Sequence, residues 1–485
     1  MPEGNKPNVL LINTDHWSAP LMGCAGARGI MTPTLDQLAA DGIRFTNILS
    51  DCPVCIPARR SLMTGMTPRS HGDRVYTDFL PLPPVKTLAQ CFRDAGYQAF
   101  AVGKLHVYPQ RDRIGFDDVI LCEEARYYLG AVDDYQLWLA DHGFLGQEYM
   151  HGMSNNEYYT RPWHLSEEAH NTNWTTNEMI RTIKRRDPHK PLMLYLSYIH
   201  PHPPLVPLQC YWDMYEDIDI PEPVRGDWLE EDAAYLRLFA NADEKYTPAD
   251  IRRARRAFYA QCTHIDHQMR LVIGTLREEG LLQNTIIGFV SDHGDMLFDH
   301  NMVAKRCFYR GSANVPLILT GNPLEKYAGT VSDTLGTLED VMPTLLELCG
   351  LPVPETVEGK SLLGDGRPEM VFGEISEGLA ATRMASDARY KLIYYPYGNL
   401  SQLFDMQEDP EELHNLASDP ALASVRERLT AFLIAHLHGG DESWVKDGKL
   451  CGLPNPNPIP VHHNYGLTNQ RGGHWPTPPH AQRMP

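Results

Sequence analysis

No run of about eighteen apolar residues occurs anywhere in the 485-residue chain, so no segment reads as a bilayer-spanning helix. Positive charge is also scarce: 43 Lys and Arg stand against 62 Asp and Glu, a formal charge of −19. That deficit excludes nucleic acid as a partner, because such binding needs a cationic surface. The basic runs that do occur, Arg252, Arg253, Arg255, Arg256 and Lys184 to Arg186, read as solvated helix faces. The ten cysteines lack regular spacing, which excludes a disulfide framework and suits reduced thiols. One C-x-x-C pair, Cys52 and Cys55, invites a redox or half-zinc reading, but no second pair and no Cys–His spacing supports it. The N-terminus, M-P-E-G-N-K-P-N, lacks a charged segment, an apolar segment and a cleavage site, so the chain as numbered is expected to be cytoplasmic. No internal repeat is present.

What remains is a 42% hydrophobic chain able to bury a large core, with one stretch around which the rest is organised: Asp51 to Gly65, D-C-P-V-C-I-P-A-R-R-S-L-M-T-G. Pro57 suits a first helical turn, Ala58 to Met63 continue helically, and Gly65 closes the end. Cys55 therefore faces the positive end of a helix, where free amides and a dipole of roughly half a charge favour an anion. Arg59, four residues on, returns to the same face with a permanent cation.

Along the chain, short apolar runs alternate with helical patterns. Asn8 to Thr14, Ile43 to Leu49, Gln98 to Val102, Pro191 to Ile199, Thr285 to Ser291 and Val315 to Thr320 read as strands. Helices are expected from Thr32-Pro33 to Gly42, Lys86 to Gly96, Asn173 to Arg186, Thr247-Pro248 to Gly280, and Leu335 to Cys349 with a kink at Pro343. This is an α/β chain with a large, mostly parallel sheet flanked by helices. Residues 107 to 170 read as loops and short helices, and Asp213 to Glu244 as an acidic surface excursion. Beyond about Glu374, Met384 to Tyr397 and Ser401 to Asp405 look antiparallel, and Val425 to Leu437 helical. The expected units are a catalytic domain over 1–375, a smaller α+β subdomain over 376–440, and a Pro/Gly/His-rich tail or arm over 441–485.

Four apolar runs end in residues that bind metals or anions: Asp15-His16, Lys104 with His106, His202, and Asp292-His293. Taken alone, each has a dull explanation as a turn cap, a core histidine or a solvated lysine. In an open parallel sheet, however, ligands bind beyond the carboxyl ends of the strands, and four such exits can converge on one crevice.

The stretch at Cys55, Pro57, Arg59, Leu62, Thr64 and Gly65 resembles the signature of type I sulfatases, C-x-P-x-R followed by L-x-T-G, within the alkaline phosphatase superfamily. G-K-L-H at Gly103 to His106, P-H-P-P at Pro201 to Pro204, S-D-H-G-D at Ser291 to Asp295 with Lys305 beyond it, and F-D-M-Q-E-D-P-E-E-L-H-N-L-A from Phe404 to Ala417 are similar to further segments of that family. The resemblance covers residues 7 to 437. It implies that a maturase oxidises Cys55 to formylglycine, whose hydrated aldehyde is the nucleophile. It also implies a divalent metal held by Asp15, Asp292, His293 and oxygen from residue 55. Carboxylate ligands favour Ca²⁺ or Mg²⁺, while an imidazole shifts the balance toward Mn²⁺. His16 departs from the family's Asp or Gln at that position; it is kept as a candidate ligand and leaves the metal open. The family's asparagine after the H-G pair is absent from His71-Gly72-Asp73-Arg74-Val75-Tyr76.

By the same resemblance, Arg59 and Lys104 anchor the hydrate, and Lys305 and His202 bind sulfate and meet the leaving oxygen. His106 then takes the proton that lets sulfate depart and the aldehyde reform. The implied activity is hydrolysis of a sulfate monoester, arylsulfatase-like, on a small-molecule or saccharide ester. The chain's negative charge disfavours a heavily sulfated polymer. A phosphonate monoester or phosphodiester hydrolase of the same superfamily is the nearest rival; that group lacks the K-x-H pair seen at Lys104 and His106. A catalytically silent metal-binding protein is the other. A homo-oligomer is permitted by the sequence and not specified by it.

Overall fold

The computed structural model describes residues 6–124, 126, 129–153, 156–229 and 246–453. Its centre is a nine-stranded sheet in the order β4-β3-β5-β1-β6-β7-β2-β8, with β9 also paired to β2. The strands are β1 (Asn8–Asp15), β2 (Gly42–Leu49), β3 (Gln98–Gly103), β4 (Asp118–Leu121), β5 (Leu192–Pro201), β6 (Thr285–Ser291), β7 (Asn314–Thr320), β8 (Thr330–Ser332) and β9 (Gly336–Thr337). Every pairing is parallel except those of β7, which runs against both β6 and β2.

Both faces of this sheet are covered, which is why its central strands are continuous apolar runs rather than alternating ones. On β1, Leu10 and Ile12 pack with the long Pro248–Glu278 helix through Phe258, Ile265 and Met269. Val9 and Leu11 face the other way, toward Ala58, Leu62, Phe92 and Leu345 of the Cys55–Thr64, Leu88–Asp94 and Val341–Leu348 helices. The long helix starts where the sequence signals it: Thr247 and Asp250 form a capping box and Pro248 occupies the first turn.

A second sheet is antiparallel in the order β10 (Val371–Ile375), β11 (Thr382–Ser386), β12 (Tyr390–Tyr395), β13 (Leu400–Asp405). Leu429 and Leu433 of the Ala423–His436 helix cover one face; the other packs on Val54, Phe308 and Tyr309 from the part of the chain that carries the large sheet. The boundary expected at 375 falls at the end of β10. The expected strand Met384 to Tyr397 is divided between β11 and β12 by the turn at Asp387, whose backbone N donates to Tyr390 O.

The helix expected over Leu335 to Cys349 is shorter. Gly336 and Thr337 form β9, a 3-10 turn follows, and the α-helix begins at Val341. Pro343 thus lies in the first turn, where its missing N–H costs nothing and no kink arises. Within the expected tail, residues 441–453 form a turn and the hairpin β14 (Val445–Lys446) to β15 (Lys449–Leu450), with Trp444 buried against the small sheet. The remainder of that tail, 454–485, and 230–245 of the acidic excursion lie outside the described residues.

Candidate active site

The four strand exits singled out in the sequence belong to β3, β5, β1 and β6, which are contiguous and parallel in the sheet. Two of the exits pass through the left-handed region. His16 leaves β1 at φ 73°, and His106 follows β3 at φ 61°. Gly103 adopts φ +105°, and a Cβ there would stand 1.8 Å from Ser197 O of β5, so only glycine fits. Glu123 then fixes the Lys104–His106 loop, its Oε1 accepting from the backbone N–H of Leu105 and of His106 at 2.9 Å each.

Cys55 is the first residue of its helix, and Gly65 ends it in the left-handed conformation at φ 66°. The side chain of Cys55 is buried with Asp15, Asp292 and His293, their donor atoms all within 4.8 Å of one another. Cys55 Sγ lies 3.2 Å from His293 Nε2 and 3.7 Å from Asp15 Oδ1. His293 Nδ1 faces Gly294 O at 2.9 Å, so it carries the ring hydrogen and leaves the Nε2 lone pair toward the cluster. Two carboxylates, one imidazole and a further donor at position 55 form a set that fits a divalent cation.

Arg59 fastens this cluster. Its Nε donates to Asp292 Oδ2 at 2.7 Å, Nη2 to Asp15 Oδ2 at 3.3 Å, and Nη1 to Lys104 O at 2.8 Å and Ser197 Oγ at 2.9 Å. Lys104 Nζ is enclosed between the carboxylates of Asp15 and Glu124. Burial alone would raise the Asp15 carboxyl, but Lys104, His202, His293 and Arg59 outweigh it and hold Asp15 well below the usual range.

Lys305 completes the opposite wall, with Nζ 2.5 Å from His16 Nε2 and 3.3 Å from His202 Nε2. Burial first, and the Lys305 charge second, hold both imidazoles well below their ordinary pKa. Their other nitrogens are occupied: His16 Nδ1 donates to Asp295 Oδ2 at 2.5 Å, and His202 Nδ1 to Pro203 O at 2.5 Å. His16 therefore groups with Asp15 and His202 rather than with the four-residue donor set. His106 stands with Cys55 and Glu124 in a further group, and its Nε2 is 3.2 Å from the Tyr76 hydroxyl.

All the singled-out residues thus come together, and four more join them unannounced by the sequence reading: Glu124, Asp295, Tyr76 and Ser197. Glu124 follows β4, a short edge strand hidden in the region read as irregular; D-V-I-L before C-E-E is the same pattern of apolar run and polar exit. Asp295 sits inside the S-D-H-G-D segment already noticed. Tyr76 and Ser197 carry no such signal.

A large parallel sheet with helices on both faces and this strand-end cluster define an alkaline phosphatase-like hydrolase. The sulfatase family model matches residues 7–351, and the chain belongs to the sulfatase family; it is a sulfuric ester hydrolase. It is 36% identical over 482 residues to an arylsulfatase of Clostridium perfringens, covering 93% of this chain and 98% of that one. It is 30% identical over 452 residues to a choline-sulfatase of Rhizobium meliloti, covering 88% and 85%. Among solved structures, a phosphonate monoester hydrolase of Agrobacterium radiobacter superposes with a TM-score of 0.77 at 25% identity, covering 88% of this chain and 95% of that one. Among the described residues, no helix is long and apolar enough to cross a membrane.

Proposed function

We propose that the protein hydrolyses a small or sparsely charged sulfate monoester, using formylglycine made from Cys55 and a divalent cation held by Asp15, Asp292, His293 and residue 55. The observation that carries this reading is the buried convergence of those four donors beside Arg59, Lys104 and Lys305. Cys55 Sγ marks the position of a hydrate oxygen. Formylglycine would supply the nucleophilic oxygen and the metal, most consistent with Ca²⁺ for a carboxylate-rich set, would supply charge against the sulfate.

The side chains around them divide the remaining work. Arg59 keeps the two metal-side carboxylates apart and pointed inward. Lys104, already between two carboxylates, holds the nucleophile's side of the site. Lys305 faces the sulfate from across the cluster and bears N–H bonds; His202 Nε2, a lone-pair acceptor 3.3 Å away, shares its proton. That pair is placed to protonate the leaving oxygen, a contribution generally worth roughly 10²- to 10⁴-fold. His106, in the group with Cys55, is the base for the second half of the reaction.

Phosphonate or phosphodiester hydrolysis is the second reading, favoured by the superposition on the phosphonate hydrolase. Lys104 and His106 weigh against it. Parallel assays of 4-nitrophenyl sulfate and an aryl phosphonate, with protein co-expressed with a maturase, test the choice. Sulfate turnover at the higher kcat/KM is expected, and a clear phosphonate preference would overturn it.

A further inference from the structure

A small cavity adjoins the catalytic cluster, walled by Glu124, Glu148, Tyr149, His151, Trp163 and His200. Glu124 is the shared wall: its Oε1 faces Lys104 Nζ and stands 3.6 Å from His202 Nε2. Two atoms of the cavity-lining residues, Glu148 Oε2 and His200 Nε2, are buried with no hydrogen-bond partner among the described residues. The two residues are 8% and 2% exposed. Buried polar atoms are seldom left in this state, so each calls for a partner inside the cavity.

The chemistry of the walls says which kind. His200 Nδ1 lies 2.9 Å from His202 O, a carbonyl that can only accept, so Nδ1 holds the hydrogen and Nε2 offers a lone pair. Gln261 Nε2 stands 2.8 Å from the same Nδ1 while its Oε1 has no partner among the described residues; turning the amide over lets Oε1 accept the Nδ1 hydrogen. Among the described residues, no Lys or Arg lines the cavity. His151 and His200 stay neutral near pH 7, each drawn down to about 4 chiefly by burial. Burial likewise holds the Glu148 carboxyl well above its ordinary value, a state that a cation beside it would reverse. Tyr149 and Trp163 add aromatic rings of the kind that attract cations.

We propose that this cavity is a subsite for a primary ammonium group on the alcohol half of the substrate, making the substrate class sulfate esters of amino alcohols and amino sugars. The proposal rests on the sulfatase reading above. A quaternary ammonium would bring charge but no N–H for Glu148 Oε2 and His200 Nε2, and is the poorer occupant.

The test compares kcat/KM of the matured, metal-loaded protein on 2-aminoethyl sulfate, 4-(2-aminoethyl)phenyl sulfate and glucosamine 6-sulfate with their N-acetylated counterparts. 4-Nitrophenyl sulfate serves as the neutral reference. At least one free amine is expected to exceed its N-acetyl form by about tenfold or more, the worth of a charge-assisted hydrogen bond. Glu148→Gln should erase that ratio and leave 4-nitrophenyl sulfate turnover unchanged; should the variant fail to fold, the wild-type ratio alone decides. Ratios near one throughout, as for a cavity that holds only an ordered water, overturn the subsite. Turnover of 4-nitrophenyl sulfate without any of the amines overturns it as well. If no sulfate ester turns over, the sulfatase reading fails instead. The subsite is then judged by calorimetric binding of 2-aminoethyl sulfate against its N-acetyl form, equal affinities counting against it.

Discussion

Arg59 Nε lies 2.7 Å from Asp292 Oδ2, and the same guanidinium reaches Asp15, Ser197 and the Lys104 carbonyl. One side chain thus ties the exits of β6, β1, β5 and β3. Lysine would keep the charge but lose the fork that allows several donors to work at once. Arg59→Lys is expected to lower kcat/KM for an aryl sulfate by about 10²-fold or more and to lower the melting temperature. Wild-type kinetics in that variant would contradict the role given to the fork.

Gly103 is where β3 must turn without a side chain. A Cβ there would meet Ser197 O at 1.8 Å, and φ is +105°. Gly103→Ala should cost about 3 kcal/mol or more of unfolding free energy, through overpacking plus backbone strain, and displace Lys104. Gly143, at φ +83° with nothing within 4 Å of its Cβ position, is the control. Gly143→Ala should cost only about 1–2 kcal/mol in a urea titration, since backbone conformation alone is penalised.

Tyr76 holds its hydroxyl 3.2 Å from His106 Nε2. This contact orients the imidazole assigned to the second half-reaction. Tyr76→Phe is expected to reduce kcat on the order of tenfold, with KM less affected and the pH profile displaced. An unchanged pH profile with unchanged kcat would remove Tyr76 from the account.

Asp133 caps the Asp134–Asp141 helix by accepting from Gln136 N at 2.8 Å, and also accepts from Glu123 N at 2.6 Å. Burial, opposed by those two hydrogen bonds, pushes its carboxyl up to about 7. The folded state therefore binds this proton more tightly than the unfolded chain does. Stability from this group is present at low pH and is lost as pH rises from about 4 toward 7. Asp133→Asn removes the charge and keeps one oxygen for the Gln136 cap, but turns its NH2 toward the Glu123 N–H that the second carboxylate oxygen accepts. Its melting temperature should therefore fall below that of the unaltered protein near pH 4, and the gap should shrink or reverse by pH 8. A gap that widens from pH 4 to pH 8 would contradict the assignment.

Much of the site was legible because strands buried on both faces are written as continuous apolar runs, so their polar exits stand out. Asp15, Lys104, His202 and Asp292 were found in that way, and the helix bearing Cys55 and Arg59 was marked at both ends by Pro57 and Gly65. Glu124 escaped because β4 is only four residues long at the sheet edge, and its apolar run is too brief to separate from a loop. The reversed direction of β7 left no trace, since a run such as V-P-L-I-L-T does not encode which way its neighbours lie. The start of the Val341–Leu348 helix was misplaced because Gly336 and Thr337 pair with β2, a long-range contact that local pattern cannot reveal. Tyr76 and Ser197 act through such contacts too.

The central claim is that residue 55 becomes an aldehyde at the meeting point of these strands. Mass spectrometry of the tryptic peptide 45–59, from protein co-expressed with a maturase, tests it most directly. A peptide lighter than the cysteine form by about 18 Da is expected, in proportion to sulfatase activity. A fully active preparation carrying only the unmodified Cys55 thiol would contradict it.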